Sequence, residues 1–128
     1  MMYPDFTIQV FRQEINRCER VTFALLQCGQ IVGIADIAKQ PGEGTTLGNI
    51  FVAAGERRKG LGKGLVEAAQ SWIAEHNDAL WVRVEPETWC VEWYERCGFL
   101  NTQERDSAGR LWMRWLDGKR KESTPNCF

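Results

Sequence analysis

The chain has no apolar run approaching the roughly 20 residues that span a bilayer. Its first residues, Met1-Met2-Tyr3-Pro4-Asp5, lack the basic segment and apolar core of a secretory signal. No membrane partner is expected, and the expected location is cytoplasmic. Net charge is also nearly absent: 16 Lys and Arg against 17 Asp and Glu leave −1. That balance gives no general pull toward nucleic acid or an anionic surface. The five cysteines (Cys18, Cys28, Cys90, Cys97, Cys127) are odd in number and contain no C-x-x-C spacing. They read as free thiols in a reducing compartment, and no metal site is expected. There is one histidine, His76, at the far end of a predicted helix, where a surface or capping role fits better than catalysis.

What is present is ordinary for a folded domain. Hydrophobic residues make up 44% and charged residues 26% of the 128. Residues 1–116 are expected to form one domain, followed by a polar tail over 117–128. The six tryptophans are assigned to core filling. Phe6, Val10, Phe11, Ile15 and Cys18 recur near a helical period and predict a helix over residues 6–19. Strand formers at 21–27 and 30–39, joined by Cys28-Gly29, predict an antiparallel hairpin. Gly33 inside its second strand points to a bulge or a close backbone neighbour. A loop over 40–44 leads to a third strand over 45–52. A helix follows, with Leu61, Leu65, Ala68, Ala69, Trp72 and Ile73 on one stripe. The next strand, 79–85, is entered from a helix and should run parallel to the one ending at Val52. Its alternation separates Leu80, Val82 and Val84 from Trp81, Arg83 and Glu85. Thr88 is positioned to cap a helix over 89–96 that ends at Gly98. A hairpin over 99–104 and 110–116 closes the pattern.

The stretch from Glu56 through Arg57, Arg58, Lys59, Gly60, Leu61, Gly62, Lys63 and Gly64 to Leu65 organises the rest. A strand end, a basic glycine-rich turn and a helix start together make an anion site. First-turn amides lack intrahelical partners, and the helix dipole adds partial positive charge. Three glycines at alternate positions there cost roughly 1 kcal/mol each against alanine. A breach of local propensity on that scale marks a functional site, where bare backbone can meet phosphate oxygens. The Walker A pattern fails, because Gly62-Lys63 is followed by Gly64 and not by a hydroxyl residue. The dinucleotide fingerprint fails at Leu65. What remains, Arg57-x-x-Gly60-x-Gly62 after a strand ending in Val52, resembles the pyrophosphate loop of the GNAT superfamily of acyl-CoA-dependent N-acyltransferases.

A second stretch, Tyr94-Glu95-Arg96-Cys97-Gly98-Phe99, is similar to that family's second signature, a tyrosine four residues before Gly-Phe. Cys90 stands where the family often has alanine, and Glu87 where it often has asparagine. The resemblance implies a mixed α+β fold, a mostly antiparallel central sheet with flanking helices, here with a shortened N-terminal region. It implies transfer of an acetyl group from acetyl-CoA, with no metal, to a primary amine. In that family's arrangement pantetheine pairs with backbone around Ile50, Phe51 and Val52. The diphosphate meets the loop from Arg57, Arg58 and Lys59 through Gly60, Leu61, Gly62 and Lys63. The tyrosine, here Tyr94, reaches the sulfur.

Acyl transfer makes three demands. An amine with a pKa near 10.4 must lose a proton. The tetrahedral oxyanion needs a donor, for which the Val52 amide is the candidate. The departing thiolate needs an acid, the role given to Tyr94. Glu85 is the first candidate base, with Glu87 and a water held by Asn49 as rivals. Arg83 beside Glu85 suggests a carboxylate-bearing or zwitterionic small amine, since arginine pairs well with carboxylates. A protein or peptide acceptor, or a non-catalytic acyl-CoA-binding module, are the alternatives. With only about 20 residues ahead of the first hairpin, the chain is expected to lack the family's first strand and to keep one helix. Either the acceptor site is then shallow and open, or a second copy completes it; the second reading is favoured here and predicts a homodimer.

Overall fold

A computed structural model describes residues 6–39, 44–56, 60–76 and 78–116. The fold is mixed α+β, with seven strands in a mostly antiparallel sheet and two α-helices. The chain divides into two compact units, residues 1–69 and 70–128. Among the described residues, no helix is long and apolar enough to cross a membrane.

The first unit is an antiparallel meander of β1 (Phe6–Ile15), β2 (Cys18–Gln27), β3 (Gln30–Lys39) and β4 (Thr45–Val52). The helix expected over residues 6–19 is a strand, and the strand thought missing is present. Asn16 and Arg17, at φ 52° and 66°, form a tight turn that folds β1 onto β2 with Ile15 opposite Cys18. Positive φ at both central residues is the geometry that matches strand twist in a hairpin. Phe6, Ile8 and Val10 supply the alternation, but β1 is solvated along most of its length. The pattern is therefore diluted, and a chance helical spacing of five apolar residues competes with it. Cys28-Gly29, at φ 52° and 80°, repeats the same turn between β2 and β3.

The meander buries Val21, Phe23, Leu25, Ala35, Ile37 and Leu47. The register pairs Val21 with Ile37, Phe23 with Ala35, and Ile37 with Leu47, so these side chains share one face. Gly33 lies beside a bulge in the β2–β3 pairing. A Cβ there would meet the Phe51 carbonyl oxygen at 3.1 Å and Leu65 Cδ1 at 3.3 Å. Both readings of Gly33 hold, and the missing side chain is what lets the following helix seat on β3 and β4.

A single 3₁₀ turn (Ala54–Glu56) follows β4, and α1 runs from Leu61 to Glu75. Its buried stripe is Leu61, Leu65, Val66, Ala69, Gln70 and Ile73. Trp72 and Ala68 are only half-buried. His76 closes the helix, its Nδ1 2.8 Å from the Trp72 carbonyl and its ring stacked on Trp72 at 4.4 Å.

The second unit holds β5 (Leu80–Val84), α2 (Trp89–Arg96), β6 (Leu100–Arg105) and β7 (Leu111–Trp115). β7 pairs antiparallel with both β5 and β6. Leu80, Val82, Val84, Leu111 and Met113 are buried on one face. The other face carries Trp81 opposite Arg114 and Arg83 opposite Trp112. The tail over 117–128 and the loop residues 40–43 lie outside the described residues.

Candidate functional site

The first unit contributes a strand end and a helix start. In the β3–β4 pairing, Ala35 opposes Ile50 and Ile37 opposes Leu47, so β4 carries one extra residue in the Gly48-Asn49 stretch. The bulge is built around a side chain. A Cβ on Gly48 would collide with Asp36 Oδ1, and Asp36 is held by Arg20 at 3.3 Å. Beyond the bulge the Ala53 amide donates to the Val32 carbonyl at 2.8 Å. Backbone groups alternate direction along a strand. The polar backbone of Ile50 and Val52 is therefore directed to the edge of β4 away from β3. Phe51 sends its backbone toward β3 and its side chain, half exposed, outward.

Gly60, at φ 75°, precedes α1, and the Gly64 amide donates to the Gly60 carbonyl at 3.1 Å. That is the first helical bond, so helix geometry assigns Gly60, Leu61, Gly62 and Lys63 to the end whose amides lack helical acceptors. Leu61 turns its side chain into the core, while Lys63 is exposed. The amides and a lysine ammonium fit an anionic diphosphate, and glycine at 60 and 62 leaves no side chain over them, while Gly64 is buried. Arg57, Arg58 and Lys59 lie outside the described residues.

The second unit contributes a tyrosine held by a helix terminus. α2 ends at Arg96 with Cys97 as its C-cap (φ −82°), followed by Gly98 at φ 99°. The Phe99 amide donates to the Tyr94 carbonyl at 3.0 Å, and the Gly98 amide to the Glu95 carbonyl at 2.9 Å. This is a Schellman terminus, with its apolar contact made by the Tyr94 and Phe99 rings at 5.4 Å. The Tyr-x-x-x-Gly-Phe spacing is thereby explained: glycine takes the left-handed position and phenylalanine braces the tyrosine. Trp93 also packs edge to face with Tyr94, its ring centroid 5.0 Å away. A Cβ on Gly98 would also press on Trp115 at 3.3 Å.

Burial pushes the Tyr94 hydroxyl up to about 12 from its usual 10.0, and Cys90 and Cys97 reinforce the shift. Tyr94 therefore keeps its proton at neutral pH. Gln70 is a residue that sequence reasoning missed. Buried on α1, it donates from Nε2 to the Cys97 carbonyl at 2.8 Å, tying the end of α2 in place. The signal was available: a polar residue interrupts an apolar stripe at Val66, Ala69 and Ile73.

Glu85 follows β5 directly and is exposed, as is Glu87, which sits at φ 62°. Thr88 takes the cap position but does not cap. Its hydroxyl donates to the Glu85 carbonyl at 2.8 Å. Arg83 lies with its guanidinium 5.4 Å over the Trp112 ring, and Arg114 stands 5.6 Å over Trp81. Arg83, Glu85 and Tyr94 thus belong to the second unit, and Ile50 to Val52 with Gly60 to Lys63 to the first.

Comparison with known proteins places these features in a family. The family model described as Acetyltransferase (GNAT) domain matches residues 2–114. No curated protein sequence matches the chain. Among solved structures, a GNAT family acetyltransferase from Elizabethkingia anophelis with acetyl-CoA bound is similar at TM-score 0.67 and 14% identity, covering 88% of this chain and 99% of that one. PaiA N-acetyltransferase from Thermoplasma acidophilum, in complex with coenzyme A, gives 0.63 and 14%, covering 75% and 60%. An acyl-CoA N-acyltransferase from Pseudomonas aeruginosa gives 0.63 and 20%, covering 76% and 68%. At these identities the structures speak for the fold.

Proposed function

Because the chain belongs to the GNAT acetyltransferase family, we propose that it transfers an acetyl group from acetyl-CoA to the primary amine of a small molecule. The observation that carries this reading is the strand end at Val52 followed by a helix whose first turn holds glycine at 60, 62 and 64. That end of the helix takes the diphosphate of the donor, with Arg57, Arg58 and Lys59, next in sequence, adding charge. The backbone of Ile50 and Val52 takes the pantetheine arm, with the half-exposed Phe51 side chain between them.

In the reaction, Glu85 accepts a proton from the acceptor ammonium, and the free amine nitrogen attacks the thioester carbonyl. The Val52 amide donates to the oxyanion. Collapse breaks the carbon–sulfur bond, and the sulfur takes its proton from the Tyr94 hydroxyl, which solvent replenishes. Tyr94 carries the proton this step needs at neutral pH. Arg83, whose guanidinium lies over Trp112, pairs with a carboxylate on the acceptor in this reading. The free thiols Cys18, Cys28, Cys90 and Cys97 fit a reducing, cytoplasmic setting. The active species is a homodimer.

A thiol-release screen tests the reading. Acetyl-CoA with amino acids and other small carboxylate-bearing amines should release coenzyme A faster than with peptides, and Arg83→Ala should raise the acceptor KM. Preference for peptides would assign a protein acceptor. Tight acetyl-CoA binding with no transfer to any amine would assign a non-catalytic binding module.

A further inference from the structure

We propose that the open face of β5 and β7 is a subsite for two carboxylates of one acceptor. Arg83 holds one and Arg114 the other, so the acceptor is a small amine bearing a pair of acid groups. This deepens the acyl-transfer reading above and rests on it. The register sets Trp81 opposite Arg114 and Arg83 opposite Trp112, so the four side chains make a chequered square on one face. The two indoles meet edge to face at 5.9 Å. Each guanidinium lies over the indole across from it, Arg83 5.4 Å from the Trp112 ring centroid and Arg114 5.6 Å from that of Trp81.

The packed side of these strands is the opposite one, where Leu80, Val82, Val84, Leu111 and Met113 are buried. Alternation puts Trp115 with Leu111 and Met113, and a Cβ on Gly98 would meet Trp115 at 3.3 Å. The α2 terminus therefore lies on the buried side and leaves the chequered face uncovered. On that face Arg83 is exposed, and Trp81, Trp112 and Arg114 are half-buried. Leu100, paired with Arg114 from β6, is 57% exposed.

Charge and spacing select the occupant. A cation drawn to an indole face gives up none of its five N–H donors. Among the described residues neither guanidinium meets a carboxylate, whereas Arg12 takes Glu19, Arg20 takes Asp36 and Arg110 takes Asp106. The indoles hold both guanidiniums in place, which lowers the ordering cost of a ligand. Two like charges at diagonal positions, about 7–8 Å apart along the backbone, call for two anionic groups on one short molecule. Carboxylates meet guanidinium with two parallel hydrogen bonds. Glu85, proposed to take the acceptor's proton, comes two residues after Arg83. The ammonium and both carboxylates of such an acceptor then each find an opposite charge. A second copy would set this positive face against itself. Two arginines in a chain of net charge −1 are too few to hold a nucleic-acid backbone.

The test measures thiol release by the full chain with glutamate against glutamine and aspartate against asparagine, pairs that differ by one carboxylate. Each acid should exceed its amide about tenfold in kcat/KM, the effect of one charge-assisted pair. Arg114→Gln should bring that ratio to near one. The ratio is taken within one variant, so any loss of folded protein cancels. A readout without turnover uses glutarate, a dicarboxylate with no amine, followed by NMR at the indole N–H resonances of Trp81 and Trp112. Glutarate should shift both, and butyrate at the same concentration should shift them less. Transfer to amino acids with no acid-over-amide preference, or a preference that survives Arg114→Gln, would overturn the dicarboxylate subsite and leave acyl transfer standing. Glutarate shifts with no transfer to any amine would instead defeat the acyl-transfer reading, and the acceptor with it.

Discussion

Tyr94 shows how one residue's chemistry is set by its neighbours. Burial raises its pKa first, Cys90 and Cys97 add to it, and the ring contacts Trp93 and Phe99 edge to face. Tyr94→Phe keeps the ring contacts and deletes the proton. Turnover should fall by about 10²–10⁴-fold, the usual worth of a positioned general acid, while the acetyl-CoA dissociation constant stays nearly unchanged. Steady-state kinetics beside direct binding separates the two. The same residue predicts a pH dependence of stability. The folded protein holds the proton to about pH 12, and the unfolded chain releases it from about 10.0. The unfolded state therefore binds fewer protons between these values, and stability falls as pH rises through that window. Denaturant titrations from pH 8 upward should show a shallower fall for Tyr94→Phe than for the natural chain. An equal slope would place the hydroxyl in water.

At the scale of elements, sequence reading works where side chains bury one face and fails where they do not. The limits of β3, β4 and α2 agree with their patterns because Val32, Ala35 and Ile37, Thr45 and Leu47, and the Thr88 and Gly98 boundaries each carry a clear signal. β1 has no such signal, since Val10, Phe11 and Ile15 are all exposed and its alternation separates nothing. The start of α1 lies at Leu61, earlier than glycine propensity suggests, because Leu61 and Leu65 are buried and packing overrides the cost of the glycines. The apolar stripe marks Gln70 as buried, but its partner, the Cys97 carbonyl, is a tertiary contact that the local pattern does not name. The α2 terminus offers a prediction at this scale. Gly98→Ala forces a side chain into a left-handed conformation at about 1–2 kcal/mol and against Trp115. Melting should drop accordingly. Because the same terminus holds Tyr94, kcat should fall by more than the loss of folded protein explains. Activity that merely tracks the folded fraction would mean the terminus does not position the tyrosine.

For the molecule as a whole, the family assignment and the two units lead to one expectation about where the donor is gripped. The first unit holds a helix start of bare glycine backbone after β4, where the diphosphate is proposed to bind. Donor binding should stabilise the folded chain by about 2.7 kcal/mol at a hundredfold excess over its dissociation constant. That shift alone does not locate the site. Amide-resolved NMR titration does so most directly. Coenzyme A should move the amide resonances of Gly60, Leu61, Gly62 and Lys63, and pantetheine, which lacks the diphosphate, should leave those four in place while still perturbing Ile50 to Val52. If coenzyme A binds and the four amides stay where they are, the diphosphate is held elsewhere and the account of this chain is wrong at its centre.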